Sequence, residues 1–157
     1  MANRGYTMAR LLAHLDDSVE VDHNHFLMQE VPTLRTMSVD DMPGDDELVA
    51  GSDGGLYFHS AANDHEADVR LELWDAEPDP VAAPWTLGAT VSTDLRDAVR
   101  FNSIFMVFSG RELVLPVSGP YMARVSTRGR DAAAELEEAT FAKGVEKWLV
   151  QLWSRPA

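Results

Sequence analysis

Apolar and polar positions alternate most clearly in ADVRLELWDAEP. There Val69, Leu71 and Leu73 interleave with Arg70, Glu72 and Trp74, the two-residue period of a strand with one face inward. LVAGSDGGLYFHS, from Leu48 to Ser60, places apolar runs on both sides of Asp53-Gly54 and predicts a β-hairpin. VDHNHFLMQ extends that reading into one continuous strand from Val19 to Gln29, and TLGATVST, ELVLPVS, YMARVSTRG and EKWLVQLW add further strands. SIFMVFSG, almost wholly apolar between Ser103 and Gly110, reads as a strand buried on both faces. Seven or eight short strands separated by turn signals predict an all-β, antiparallel sandwich or jelly roll.

Two segments depart from that period. Met8, Leu11, Leu12 and Leu15 fall at i, i+3, i+4 and i+7, which predicts a helix capped by Thr7 within an N-terminal extension, residues 1–17. Its stripe would be buried on the protein's own sheet or dock a second chain. DAAAELEEATFAKG, with Asp131 as cap, early glutamates and Gly144 as stop, predicts a short helix before the last strand.

The 157 residues suit a single domain, 1–157, with room for one core. Cysteine is absent, which excludes disulfides, thiolate metal sites and a cysteine nucleophile. Without an apolar leader or a run of about 20 apolar residues, a cytoplasmic location and no membrane contact are expected.

Charge changes the picture more than composition does. Residues 1–80 carry 18 Asp and Glu against 4 Arg, a charge of −14, whereas residues 81–157 carry 8 acids against 9 Lys and Arg, a charge of +1, so the net −13 arises in the first half. Its densest stretch is VDDMPGDDE, within a loop expected over 36–47, where Asp40, Asp41, Asp45, Asp46 and Glu47 gather around Pro43 and Gly44. Such a run is a solvated loop or a surface that meets a basic partner. It repels nucleic acid phosphates and anionic membrane.

Candidate chemistry is sparse. On a continuous strand His23 and His25 would share a face, and with His59 they form the candidate set for a metal or small ligand. They fit equally as the solvated side of a half-buried strand. Arg124, Arg128 and Arg130 share strand parity and predict a row of guanidinium groups, for an anion or for acids on neighbouring strands. No GxSxG elbow, GxGxxG or Walker loop, or calcium-loop spacing occurs, so no catalytic residue and no cofactor are assigned.

LELWDAEP, LPVSGPYMARVSTRGRD and EKWLVQLW, in that order, resemble the C-terminal part of the competence protein J family, and VDHNHFLMQ resembles that family's first strand. The likeness runs from about Val19 to the C-terminus. It implies a non-enzymatic inhibitor of a DNA-uptake nuclease, with no metal role for the histidines. The reading that follows is an acidic protein-binding module, a nuclease inhibitor or immunity-type protein that mimics nucleic acid electrostatically and takes a basic protein partner. A metal- or ligand-binding jelly roll using His23, His25 and His59 is the alternative, and a structural or oligomerising protein a third.

Overall fold

The computed structural model describes residues 8–35, 37–138 and 140–155. Among them ten strands form: β1 (Leu11–Val21), β2 (His25–Val31), β3 (Val49–Ser52), β4 (Gly55–His59), β5 (His65–Trp74), β6 (Thr86–Leu95), β7 (Ala98–Ser103), β8 (Leu113–Val114), β9 (Gly119–Arg128) and β10 (Lys143–Ser154). They make two five-stranded sheets, β1-β5-β10-β9-β6 and β3-β4-β2-β7-β8. Within them only the β5–β10 pair is parallel, so the architecture is the expected all-β, antiparallel-dominated sandwich. No helix among the described residues is long and apolar enough to cross a membrane.

Alternation builds the core. β5 sends Ala67, Val69, Leu71 and Leu73 inward, β2 sends Phe26 and Met28, and all are buried. Phe26 and Phe58 stack at 4.6 Å, and the indole of Trp148 meets both edge-on at 5.2 and 5.4 Å. Offset and edge-to-face packing of this kind adds to the area buried.

Both open sides of the sandwich are closed. On one, β3 meets β6: Thr93 Oγ1 donates to the carbonyls of Ser52 (2.8 Å) and Gly55 (3.0 Å). A Cβ at Gly51 would fall 2.0 Å from the Ser92 carbonyl oxygen, so the approach requires glycine. On the other side Asp17, on the inward face of edge strand β1, accepts from the Arg111 backbone N–H at 2.9 Å. An inward charge on an edge strand also discourages pairing with another chain.

Three expectations are corrected. The helix expected within residues 1–17, capped by Thr7, is β1 from Leu11 onward; Thr7 itself lies outside the described residues. β1 pairs with β5 over its whole length, burying Leu15, Val19 and Val21 and leaving Met8 (74%), Leu11 (40%) and Leu12 (50%) exposed. Long-range pairing overrides a helical spacing that only four residues supported. The strand drawn through Val19–Gln29 is broken by a two-residue turn. His23 (φ 53°) and Asn24 (φ 62°) are both left-handed, as in the type I′ hairpin turn, and Asp22 and His25 exchange backbone hydrogen bonds across it.

SIFMVFSG is not a buried strand; β7 ends at Ser103 and the apolar run forms an exposed turn. The short helix expected before the last strand does form, as α1 (Arg130–Ala134), beginning one residue before Asp131 and ending at Ala134 rather than at the Gly144 stop.

Candidate partner-binding face

The acidic loop, described from Met37, lies on the outer face of the β3-β4-β2-β7-β8 sheet. Met37 and Met42 pack there with Leu27, Tyr57 and Ile104 in a small hydrophobic cluster separate from the main core. Methionine's unbranched chain suits such an irregular gap. Between the two anchors, Ser38 caps a single 3-10 turn, Val39–Asp41: its Oγ accepts from Asp40 N at 3.2 Å while the Asp41 carboxylate accepts from Ser38 N at 2.7 Å. Farther on, Gly44 N donates to Glu47 Oε1 at 3.1 Å.

The five carboxylates therefore divide. Asp41 and Glu47 hold the shape of the segment, whereas Asp40, Asp45 and Asp46 are exposed and form no ion pair among the described residues.

The histidines divide as well. His25 and His59 are cross-strand partners whose rings stack at 5.0 Å, with Tyr57 edge-on to His25 at 5.5 Å. His23, displaced into the turn, instead offers its carbonyl to the His25 Nδ1–H at 2.6 Å and its ring to Phe105 at 5.6 Å. The side-by-side arrangement on one strand does not form. Among the described residues no group of three or more His, Cys, Asp or Glu is disposed to hold a metal ion.

Burial pushes the His25 imidazole below its ordinary value of 6.5; His59 acts in the same direction, while the His23 carbonyl and Asp45 oppose it. Burial lowers His65 too, against the pull of Glu146. Between the lowered values and 6.5 the unfolded chain binds more protons than the folded one, so stability falls as pH drops below about 6.5. Urea unfolding at pH 7.5 and pH 5.5 should show this loss, and a His25→Gln, His65→Gln variant should show less of it. An equal loss in both proteins would remove the histidines from the account.

The arginine row dissolves. Arg124 is nearly buried; its Nη1 donates to the carbonyls of Pro78 (2.8 Å) and Asp79 (3.1 Å), and its guanidinium lies 5.3 Å over Trp153, fastening the loop after β5. Arg128 lies over Trp85 at 5.6 Å. Gly129, at φ 79°, ends the strand parity and sends Arg130 across the end of the sandwich, where it donates to the His59 carbonyl at 3.0 Å and meets Glu146 at 3.5 Å. The three do not form one anion site: Arg124, which also meets Glu77 at 3.7 Å, and Arg130 pair with acids, whereas Arg128 is exposed.

Two features were missed in the sequence. One is a buried polar unit, Ser60, His65 and Glu146: His65 Nε2 lies 2.8 Å from Ser60 Oγ, which donates to Glu146 at 2.7 Å. The serine is spent between the two rather than activated by the histidine, so the trio is not a nucleophilic triad. The other is the apolar turn after β7, beside the acidic segment. The five apolar residues from Ile104 to Phe108, with Ser and Gly only at the ends of the segment, read as core in the sequence.

No protein-family model matches the chain, and no curated protein matches it in sequence. Two solved structures do match its fold. One is ComJ, inhibitor of the DNA degrading activity of NucA, from Bacillus subtilis, with a TM-score of 0.58 and 17% identity over 94% of this chain and 99% of that one. The other is described as Crocagin biosynthetic gene J, with a TM-score of 0.57 and 11% identity over the same shares. At these identities it is the arrangement of strands that is common, and on that arrangement the protein has a ComJ-like fold.

Proposed function

We propose that this protein is a non-enzymatic, protein-binding inhibitor of a nuclease, and that its acidic segment meets a basic groove otherwise occupied by DNA phosphates. The observation that carries the reading is the division among the carboxylates. Asp40, Asp45 and Asp46 are held exposed and unpaired on a segment that Met37 and Met42 clamp to the sheet, so little ordering remains to be done on binding. The likeness in fold to an inhibitor of a nuclease supports it. A net charge of −13 favours a basic partner and disfavours direct binding to nucleic acid.

The test uses the host's own nuclease most similar to NucA, with DNA degradation and binding kinetics as readouts. Wild-type protein is expected to inhibit. Changing Asp40, Asp45 and Asp46 to Asn, with Asp41 and Glu47 kept for their capping bonds, should leave the fold intact and slow association by roughly 10-fold or more at low salt. Raising the salt should slow the wild type strongly and the variant little. Identical salt dependence in the two would sink electrostatic mimicry.

A further inference from the structure

The turn after β7 exposes Phe105 (63%), Met106 (45%), Val107 (47%) and Phe108 (43%) in succession. Contiguous exposed apolar side chains of this size mark interaction sites. Hydrogen bonds tie this turn to its base. Ser103, fully buried, accepts from the backbone N–H groups of Phe105 (3.2 Å) and Val107 (3.0 Å) through its Oγ, donates its own N–H to the Val107 carbonyl (2.8 Å), and accepts from Met106 N at its carbonyl (3.0 Å).

Met106 stands at φ 64°, a left-handed position where glycine or asparagine would be easier. A large apolar side chain is thus kept at a conformational cost; its sulfur accepts from the Asn102 side-chain amide at 3.7 Å while the rest of it is partly exposed.

We propose that Phe105, Met106 and Val107 are the apolar centre of the same interface, inserting into an apolar recess rimmed by Lys or Arg on the nuclease. This rests on the inhibitor reading above. Three observations select that occupant. Ile104, the first residue of the turn, packs into the Met37–Met42–Leu27–Tyr57 cluster, so the turn and the acidic segment share one base. On its other flank a groove of about 190 Å³ has Val107 and Phe108 on one wall and Asp17, Glu20 and Glu66 among its other lining residues, so acids border the tip on both sides. A second copy of this chain would bring like charges together at those flanks, and an anionic membrane would be repelled for the same reason. An apolar centre with a charged rim matches the anatomy of protein interfaces.

The two parts of the face then have separable roles. Exposed acids at the rim govern association, and the desolvated apolar centre governs dissociation. Against the same nuclease, Phe105→Ser and, independently, Met106→Asn are expected to raise the dissociation rate by roughly 30-fold, the scale of an interface hot spot, while leaving the association rate and its salt dependence close to wild type.

Asparagine accepts the left-handed backbone, which offsets loss of the Asn102–Met106 contact, so Met106→Asn should unfold close to the wild-type temperature even as binding weakens. Phe105→Leu should bind nearly as wild type. Dissociation rates unchanged in both Phe105→Ser and Met106→Asn, with the acidic variant still slow to associate, would overturn the role of the tip and leave the inhibitor reading standing. No binding or inhibition by wild-type protein would overturn both. A wild-type dimer in sedimentation that Phe105→Ser converts to monomer would assign the tip to self-association instead.

Discussion

Replacing Glu146 with alanine is expected to remove about 3–5 kcal/mol of folding stability, the range measured when one member of a buried charged network is deleted. The carboxylate is fully buried. It accepts from Ser60 Oγ (2.7 Å), Ala61 N (2.8 Å) and Trp148 Nε1 (2.6 Å), and Arg130 lies 3.5 Å away. Deletion strands each of these donors, and through Ser60 it disturbs His65 as well. For a chain of this length each kcal/mol shifts the melting temperature by roughly 2–4 °C, so a fall of roughly 6–20 °C should appear in a thermal scan. Glu146→Gln keeps one acceptor oxygen but turns an NH₂ toward donors, and should fall between. A loss below about 1 kcal/mol for the alanine variant would show that this network does not close the end of the sandwich.

A second buried carboxylate closes the opposite end of β2. Glu30, also fully buried, accepts from Arg35 Nη2 (2.7 Å) and Nε (3.0 Å) in a bidentate pair and from the Arg96 backbone N–H (3.2 Å). Arg35 reaches on to the Asp94 carboxylate at 2.9 Å, so one ion network ties the loop after β2 to the end of β6. The hydrogen bond to Glu30 is the main cause of the raised Arg35 pKa.

Glu30→Ala should cost about 3–5 kcal/mol, and Arg35→Ala a comparable amount, since it leaves the carboxylate buried and unpaired. Because the two residues act together, the double variant should be less destabilised than the sum of the singles, by about 0.5–3 kcal/mol. Simple additivity in urea unfolding would show that they are not coupled. By contrast Glu30→Ala and Glu146→Ala, separated by the length of β2 at about 3.3 Å per residue, should add.

What the sequence determined by itself was local. The alternation of Val69, Leu71 and Leu73 is β5, the Asp53-Gly54 pair is the turn between β3 and β4, and Asp40, Asp45 and Asp46 are solvent-facing as their surroundings suggested. Each signal lies within a few residues, where period and turn chemistry act. Tertiary structure decided the rest. Leu11, Leu12 and Leu15 suit a helix stripe as well as a strand, and only pairing with β5, more than fifty residues away, selects the strand.

His23-Asn24 is a weaker turn signal than Asn-Gly, so the break between β1 and β2 depends on the two strands joining different sheets. SIFMVFSG reads as core because hydrophobicity reports what a side chain favours, and no local rule reveals that the fold leaves Phe105 without a cover. Glu30 and Glu146 look like surface acids in the sequence. Their burial is tolerable only because donors from distant segments converge on them, Ser60 across 86 positions and Arg96 across 66, and convergence of that kind exists only once the chain has folded.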